Sequence, residues 1–388
     1  MKAKHGYLTK ALSVILTAVM LLATVSVGFV LPETRITADA ATYNVNSLSA
    51  INTAIGNANA AGADTQTIIK LSGAITAGET AGLTAITGNV LFDFNGYNIT
   101  VDYQKDGAEN VDSDVYEYQS PSELQTSGGA KDYVTKGILN VADGGTLQII
   151  NSASTDAEFK VHSYYYEKDS TARHLTGSRA KTTYTTTASI VYSEGALLIG
   201  ENNSSNNNFT LRAEARSRTN DNGYDQRNMA ANAYAVTVNG SNAKFYMYGG
   251  NVFASCNTRA SYKGHHDVRC FALNINNCYC AELYGGTIQV PNKCNGNTTG
   301  VEQASGEDCT GGTTYFAALR VNCPNVFVFY STLLTQIYVD ENTGSSVNNT
   351  ACIYVPNDNA LPNIYGAGCA PSSALLFRFP ALHRPAGR

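Results

Sequence analysis

Three stretches in the second half of the chain repeat one pattern. They are AVTVNGSNAKFYMYGG at 235–250, ALNINNCYCAELYGG at 272–286 and ALRVNCPNVFVFYST at 318–332. In each stretch, a short run of alternating apolar residues is followed by a polar turn and a second alternating run. A unit of two short strands cannot bury its own apolar side, so repeated units must stack on one another to make a core. The repetition therefore predicts a solenoid built from β-strands.

Aligning the repeats identifies residues that should occupy equivalent positions in successive turns. The aligned sets are Val236, Leu273 and Leu319; Val238, Ile275 and Val321; Asn239, Asn276 and Asn322; and Tyr248, Tyr284 and Tyr330. A fourth, looser copy carries Ile353, Val355 and Tyr365. We expect the asparagines to form an internal ladder of stacked amides, which is a structural device and not a binding site.

The composition suits strands joined by tight polar turns. Charged residues make up 15% of the chain, against about a quarter in typical soluble domains. The 34 glycines help to supply turn conformations, since glycine adopts left-handed backbone angles at no steric cost. A formal net charge of -5 argues against a nucleic-acid partner. No Walker loop, Rossmann glycine pattern or paired CxxC motif is present, so nucleotide and structural zinc sites have no support.

Residues 1–40 have the features of a signal peptide. Lys2, Lys4 and Lys10 precede a mostly apolar run over 11–30, and Ala-Asp-Ala at 38–40 provides a cleavage site. The alternative is an uncleaved membrane anchor, because a run of about 20 apolar residues can span a bilayer. We expect a secreted or cell-surface protein that has no membrane span after cleavage.

The rest of the chain divides into three predicted parts. Residues 41–65 contain a short helix, with Leu48, Ile51, Ile55 and Ala58 on one face, which we expect to cap the first turn of the solenoid. Residues 66–368 form the solenoid, with about seven coils. Residues 369–388 are an irregular, proline-containing tail, which we interpret as an end that is not the natural one.

Long insertions separate the predicted coils. They cover approximately 102–136, 153–187, 204–232, 253–270, 289–315 and 338–350, each following the second strand of its unit. If the coils stack in register, these insertions leave the same face and form one wall. Such a wall is often the binding face of a repeat protein.

Three phrases carry a resemblance to a known group of proteins. NSLSAINTAIGNANA with TIIKLSGAIT is similar to a capping helix and first strand, VLFDFNGYNITV to a hydrophobic strand, and KFYMYGGNV with AELYGGTI to a recurring coil. The chain thus resembles right-handed parallel β-helix proteins of the pectate-lyase-like superfold, in particular secreted surface proteins of Gram-positive gut anaerobes. The resemblance covers about 43–368 and implies an all-β fold. It does not select an activity, since this fold serves lyases, glycosidases, adhesins and spacers.

The resemblance to lyases implies a calcium site and a nearby base. The best acidic cluster is Asp112, Asp114 and Glu117 in the first insertion. The alternative is a solvated loop without metal. Calcium needs six or more oxygen ligands, and these three side chains do not supply them all. No other cofactor is expected. Glycosidases need two carboxyl groups at a defined separation, and nothing selects a pair here. We expect Asp93 to face solvent.

Tyrosines are the candidate binding residues. Tyr116, Tyr118, Tyr164, Tyr165 and Tyr166 fall in insertions predicted to share one face. A tyrosine ring can pack on the apolar side of a sugar while its hydroxyl bonds the polar rim. The alternative is that these rings pack within the loops, and the chain contains no tryptophan, the strongest stacking platform.

All nine cysteines lie at or beyond residue 256. Export would permit disulfides, and Cys256–Cys270 and Cys294–Cys309 are the candidate pairs. We interpret Cys278, Cys280, Cys323 and Cys352 as small buried residues, which cysteine often is. The odd count leaves at least one thiol free or paired between chains.

The sequence favours an exported, non-enzymatic β-helix that acts as an adhesin, a glycan-binding module or a stalk. Its partner would be an extracellular polysaccharide or a glycan on a host or bacterial surface. The alternative is a polysaccharide lyase or glycoside hydrolase that acts on a uronate-containing or other complex glycan. A purely structural spacer is the third class.

Overall fold

The computed structural model describes residues 40–78, 82–107, 136–167, 183–202, 207–219, 228–259, 266–291, 300–301, 314–329, 335–340, 350–356, 360–365 and 377–378. Most of the predicted signal peptide and most of the predicted tail lie outside these ranges. Within them, the chain forms one helix, α1 (Leu48–Ala61), and 24 strands. Across the same ranges, no helix has the length and apolar character needed to cross a membrane.

The strands form three sheets. Sheet A contains β1 (Thr42–Val45), β2 (Gln66–Leu71), β4 (Asn89–Asp93), β7 (Thr146–Ile150), β10 (Ala196–Ile199), β13 (Lys244–Met247), β16 (Cys280–Leu283), β20 (Val326–Phe329) and β23 (Asn363–Tyr365). Sheet B contains β3 (Ile75–Ala77), β5 (Ile99–Gly107), β8 (Ala157–Glu167), β11 (Phe209–Thr219), β14 (Asn251–Arg259), β17 (Gly286–Pro291), β18 (Gly300–Val301) and β21 (Thr335–Asp340). Sheet C contains β6 (Leu139–Val141), β9 (Thr183–Ser193), β12 (Asn228–Asn239), β15 (His266–Asn277), β19 (Thr314–Val321), β22 (Thr350–Tyr354) and β24 (Phe377–Arg378).

The chain visits the three sheets in turn. From β4 it passes to β5 in sheet B, to β6 in sheet C and back to β7 in sheet A, and β4 pairs with β7 in parallel. The same order recurs along the chain, and every strand pair between the described residues is parallel. Parallel pairing of each strand with the strand one pass later is compatible with a parallel β-helix.

The structure corrects the predicted number of strands in each turn. The sequence pattern indicated two strands followed by a long insertion, whereas each full turn contains three strands. Residues 153–187 and 204–232, predicted as insertions, include β8, β11 and parts of β9 and β12. The inward positions of these strands carry small residues such as Ser163, Ala213 and Ala215, which do not produce a strong apolar alternation in the sequence.

The core is built from ladders of apolar side chains. One ladder in sheet A runs through Ile69, Phe92, Ile149, Ile199, Met247, Leu283 and Val328, which pair in register from strand to strand. The described members of this ladder are almost fully buried. Parallel sheets covered on an apolar face are expected to show such continuous burial.

Helix α1 is capped at both ends. The Oγ atom of Ser47 accepts a hydrogen bond from the backbone N–H of Ala50 at 3.2 Å, as an N-cap residue does. At the other end, Gly62 has a φ of 85° and its N–H donates to the carbonyl of Ala58. The predicted apolar face of α1 is confirmed, because Leu48, Ile51, Ile55 and Ala58 are all buried.

The predicted asparagine ladder is confirmed. The side-chain amide of Asn276 donates to Oδ1 of Asn239 at 2.9 Å, and that of Asn322 donates to Oδ1 of Asn276 at 3.2 Å. The valine and leucine sets around Val236 and Val238 also pair as aligned. The tyrosine set needs one correction, because the residue that stacks on Tyr284 is Phe329, with ring centroids 4.9 Å apart. The aligned Tyr330 lies outside the described residues.

Asp93 does not face solvent, contrary to the prediction. Only 3% of the residue is exposed. Its carboxylate accepts hydrogen bonds from the backbone N–H groups of Asn95 and Ser152, from the Ser152 hydroxyl at 2.6 Å, and pairs with Lys70 at 3.1 Å. The prediction is wrong because the partner of Asp93 lies in a turn 59 residues later in the chain. Nothing near Asp93 in the sequence indicates that contact.

We expect Asp93→Ala to lower the free energy of unfolding by about 2 to 3 kcal/mol, because several partly buried donors lose a charged acceptor. Burial raises the pKa of Asp93, but the hydrogen bonds from Ser152, Asn95 and Lys70 outweigh it, so the net pKa lies below 3.8. A lowered folded-state pKa means that this stabilisation is present above pH 3.8 and is lost as the pH falls through the folded-state pKa. Urea unfolding at pH 7 and at acidic pH measures both effects. Asp156→Ala, at an exposed position, is the control and should change stability by less than about 0.5 kcal/mol.

Candidate functional site

The outward surface of sheet B carries a group of charged and aromatic side chains that interact across neighbouring strands. Side chains alternate between the two faces of a strand, and Phe159, Leu211 and Val252 point into the core. Lys160, Arg212 and Phe253 therefore stand on the outer face, in register with one another on β8, β11 and β14. We call this surface, from β5 to β14, the outer face of sheet B.

Ion pairs connect neighbouring strands across this face. Nζ of Lys160 lies 2.8 Å from Oε2 of Glu214, and Nε of Arg212 lies 2.5 Å from Oε1 of Glu158. Arg212 also approaches Glu214 at 3.6 Å and places its guanidinium 4.2 Å from the centre of the Phe253 ring. The four charged side chains are between 23% and 35% exposed. They are therefore held in place and still reachable from solvent.

A second row on the same face is made of two carboxylates and a histidine. Asp102, His162 and Glu214 occupy equivalent positions on β5, β8 and β11. Nδ1 of His162 lies 3.2 Å from Oδ1 of Asp102, and its ring stacks on Tyr164 with centroids 6.1 Å apart. When Nδ1 of the neutral ring carries the proton, Nε2 is the proton acceptor.

The pKa of His162 is set by opposing effects. Burial lowers this pKa most, the charges of Asp102 and Glu214 raise it, and Lys160 and Arg216 lower it, so that the pKa falls below 6.5. His162 is therefore mainly neutral at pH 7. A neutral imidazole that is fixed at one nitrogen by a carboxylate can accept a proton at the other.

We expect Asp102→Asn to lower the pKa of His162 further, because it removes the nearest negative charge. An NMR titration of the histidine ring protons measures the pKa, and the signal is assigned by its loss in His162→Gln. Asp143→Asn changes an exposed carboxylate in a turn outside sheet B and should leave the pKa unchanged. A pKa that rises in Asp102→Asn would contradict the contact between Asp102 and His162.

The structure separates the tyrosines predicted to bind glycans. Tyr116 and Tyr118 lie outside the described residues. Tyr164, Tyr165 and Tyr166 belong to strand β8 and not to a loop, and Tyr164 stands on the outer face of sheet B beside His162. The side chains of Tyr165 and Tyr166 lie outside the described part of the structure. The predicted calcium ligands Asp112, Asp114 and Glu117 also lie outside it.

The predicted cysteine pairs have different outcomes. Cys256 and Cys270 are both buried, and burial together with the neighbouring Cys270 thiol raises the pKa of Cys256. The Sγ atom of Cys256 donates a hydrogen bond to the carbonyl oxygen of Arg269 at 3.3 Å. No disulfide bond joins them in the structure, so the bond itself stays a prediction. Cys294 and Cys309 lie outside the described residues.

Apart from Tyr164, the residues of the outer face of sheet B are not identified by the sequence. The signal was present in FTLRAEARSRT at 209–219, where charged residues alternate with small or apolar ones, as in a half-exposed strand. The small inward residues Ala213 and Ala215 weakened that pattern. Because the partners of each charge lie on other strands, their pairing has no local trace in the sequence.

The sheet-B strands share another feature that bears on this face. From β5 to β21, six of these strands end directly before a connection of six or more residues, which leads to sheet C or, for β17, to β18. In a parallel sheet the carboxyl ends of all strands lie along one edge. The chain therefore leaves these strands along a common edge of sheet B, and the predicted insertions include both the sheet-B strands and the residues that follow them.

No group of three or more histidine, cysteine, aspartate or glutamate side chains in the described ranges is arranged to hold a metal ion. The row of Asp102, His162 and Glu214 is a candidate for proton transfer and hydrogen bonding, because His162 has a lowered pKa and lies 3.2 Å from Asp102. Comparison of the chain with protein-family models, with curated proteins and with solved structures found no match.

Proposed function

We propose that this protein is a secreted or cell-surface right-handed parallel β-helix that binds an extracellular glycan on the outer face of sheet B. In this proposal α1 caps a solenoid of about seven coils, and the protein acts as an adhesin or a glycan-binding module. The fold is that of the pectate-lyase-like group which the sequence resembles. The three parallel sheets and their repeated order support it.

The observation that carries the binding proposal is the network of Lys160, Glu214, Arg212 and Glu158 on two adjacent strands, β8 and β11. Ion pairs of this kind hold long side chains in fixed positions, so fewer rotamers are lost when a ligand binds. The charged groups retain hydrogen-bonding capacity toward sugar hydroxyls, and charge-assisted hydrogen bonds are the stronger ones. Phe253 and Tyr164 add aromatic surface to the same face.

The binding proposal is tested with the purified mature protein on an array of pectic, other plant and host glycans. We expect retention on at least one glycan, and we expect Arg212→Ala to weaken the affinity about tenfold, a change of about 1.4 kcal/mol. Lys244→Ala removes a lysine from the outward surface of sheet A and is the matched control, with unchanged affinity. Absence of retention on every glycan would favour the structural spacer and overturn the proposal.

A second candidate function rests on the row of Asp102, His162 and Glu214. The strands of the two carboxylates are two inter-strand spacings apart, about 9.5 Å. This value is at the upper end of the range of about 6.5–9.5 Å over which two carboxyl groups catalyse inverting glycoside hydrolysis. His162 between them offers a base for a lyase reaction. The alternative is therefore a glycoside hydrolase or polysaccharide lyase.

An assay of bond cleavage distinguishes the two functions. The protein is incubated with uronate-containing and neutral glycans, with and without calcium, and new reducing ends or unsaturated sugars are measured. Glycan retention without cleavage is the result expected for the binding module. Cleavage that is lost in Asp102→Asn and Glu214→Gln would establish the enzyme instead. Cleavage that depends on calcium and on Asp112 or Asp114 would place the chemistry in the first insertion.

A further inference from the structure

Two cysteines face each other in consecutive turns of the chain. Cys278 lies between β15 and β16, and Cys323 lies between β19 and β20. Their Sγ atoms are 3.0 Å apart, and the residues are only 5% and 4% exposed. A disulfide has an S–S bond of about 2.0 Å, so a movement of about 1 Å brings the two sulfur atoms to bonding distance.

The strands on both sides of these cysteines fix their relative position. β15 pairs with β19 and β16 pairs with β20, both in parallel. The two turns are therefore stacked one inter-strand spacing apart, about 4.8 Å. That spacing lies within the Cα separation that disulfides adopt, about 4.4–6.8 Å. The hydrogen bond from the side-chain amide of Asn322 to Oδ1 of Asn276 also connects these two turns.

We propose that Cys278 and Cys323 form a disulfide that links two successive turns of the solenoid when the protein meets a disulfide oxidant. This bond differs from the candidate pairs Cys256–Cys270 and Cys294–Cys309, and it does not depend on the glycan-binding proposal. The bond closes a loop of 45 residues. Cross-links that close long loops restrict the unfolded chain and stabilise the folded one.

The order of the steps follows from the contact between the two thiols. With the Cys278 thiol as the donor of the hydrogen bond between the two sulfur atoms, the pKa of Cys323 is lowered and that of Cys278 is raised. Cys323 is therefore the attacking thiolate, and it displaces one thiol from a low-molecular-weight disulfide to form a mixed disulfide. Cys278 then loses its proton and attacks the Cys323 sulfur, which releases the second thiol. The oxidant gains two electrons and two protons in total, and the protein loses them.

Cys280 provides an internal comparison. It lies two residues after Cys278 on the outward face of sheet A and is partly exposed. Its thiol donates a hydrogen bond to Oε1 of Glu282 at 3.1 Å. Burial and this bond raise the pKa of Cys280 to about 12, which makes Cys280 the poorer nucleophile although it is more accessible.

The test is peptide mapping by mass spectrometry of the full chain after incubation with oxidised glutathione, without reduction before digestion. We expect one cross-linked species that joins the peptides containing Cys278 and Cys323, lighter than the two separate peptides by two hydrogen atoms. It should persist in Cys280→Ala and disappear in Cys323→Ala. Exclusive linkage of Cys278 to Cys280, or alkylation of both Cys278 and Cys323 after oxidation, would overturn the proposal.

Thermal unfolding provides a second readout on the same samples. Reduction of the oxidised wild-type protein should lower the midpoint of unfolding by a few degrees. The same reductant should cause a smaller change in Cys323→Ala, because any remaining effect comes from other cysteines. Equal changes in the two proteins would contradict a stabilising cross-link between the turns. Glycan retention, measured separately, reports on the proposed function and not on this bond.

Discussion

Replacement of Gly195 by alanine is expected to lower the free energy of unfolding by about 3 kcal/mol, measured by urea titration. A Cβ atom at this position would lie 2.3 Å from the carbonyl oxygen of Ala142 and 2.4 Å from that of Gly145. Both obstacles are backbone atoms of the preceding turn, which cannot move away as a flexible side chain would. Gly145 meets the carbonyl of Ile86 in the same way, at 2.1 Å. The stacked turns therefore depend on glycine at these positions.

Gly56→Ala is the matched control for this prediction. Gly56 is an exposed residue within α1, and a Cβ atom there would contact nothing within 4 Å. Alanine is the better helix former, so this variant should be more stable than the wild type by about 0.5–1 kcal/mol. A Gly195→Ala protein as stable as the wild type would show that these turns do not pack on one another as described.

Phe209→Ala is expected to have a still larger effect, a loss of about 4 kcal/mol in the free energy of unfolding. Phe209 is 1% exposed at the start of β11. Its ring packs against Phe94, with centroids 5.5 Å apart, and Phe94 in turn packs edge-on against Phe92. Removing the ring leaves a cavity where sheets A and B meet, and the surrounding side chains are too tightly packed to fill it.

Phe253→Ala tests the same residue type on the opposite face of sheet B. Phe253 is partly exposed on β14, and its ring is covered on one side by Arg212. We expect this variant to lose about 1 kcal/mol, mostly from the contact between the cation and the ring. If Phe253→Ala were the more damaging of the two, the inward and outward faces of sheet B would have to be exchanged.

The sequence predicted sheet A and the later strands of sheet C well. In those strands, large apolar residues such as Leu273 and Ile275 alternate over short runs, and asparagine or glycine marks the turns between them. The stacking of Asn239, Asn276 and Asn322 followed directly from their alignment. Helix α1 was equally clear, because Ile51, Ile55 and Ala58 fall on one face and Ser47 is a good capping residue.

Sheet B could not be predicted in the same way. Toward the carboxyl ends of its strands, the inward side chains of sheet B are small, as at Ser163, Ala215 and Cys256. Small residues bury little apolar area, so the alternation that marks a strand is weak there. For that reason the sequence places the tyrosines of β8 in a loop and gives no separate signal for sheet B.

The candidate site was harder to predict than the fold. Asp102, His162 and Glu214 are far apart in the sequence and come together only because three turns stack in register. The same is true of Lys160 with Glu214, and of Arg212 with Glu158. These residues cannot be paired from the sequence alone, because the sequence does not show the register in which the strands stack.

Each strand of sheet A stacks in register on the strand one turn earlier. This stacking is tested most directly by the distance between two spin labels, measured by pulsed electron spin resonance. The labels are placed at Thr42 and Asn363, two exposed residues at equivalent positions on the outward side of sheet A. Labels carried by non-natural amino acids leave the nine cysteines unmodified. The two sites lie on the first and last of nine parallel strands, eight inter-strand spacings apart, so we expect a single distance of about 38 Å. A distance well below that value, or a distribution without one main peak, would contradict the stacked parallel arrangement.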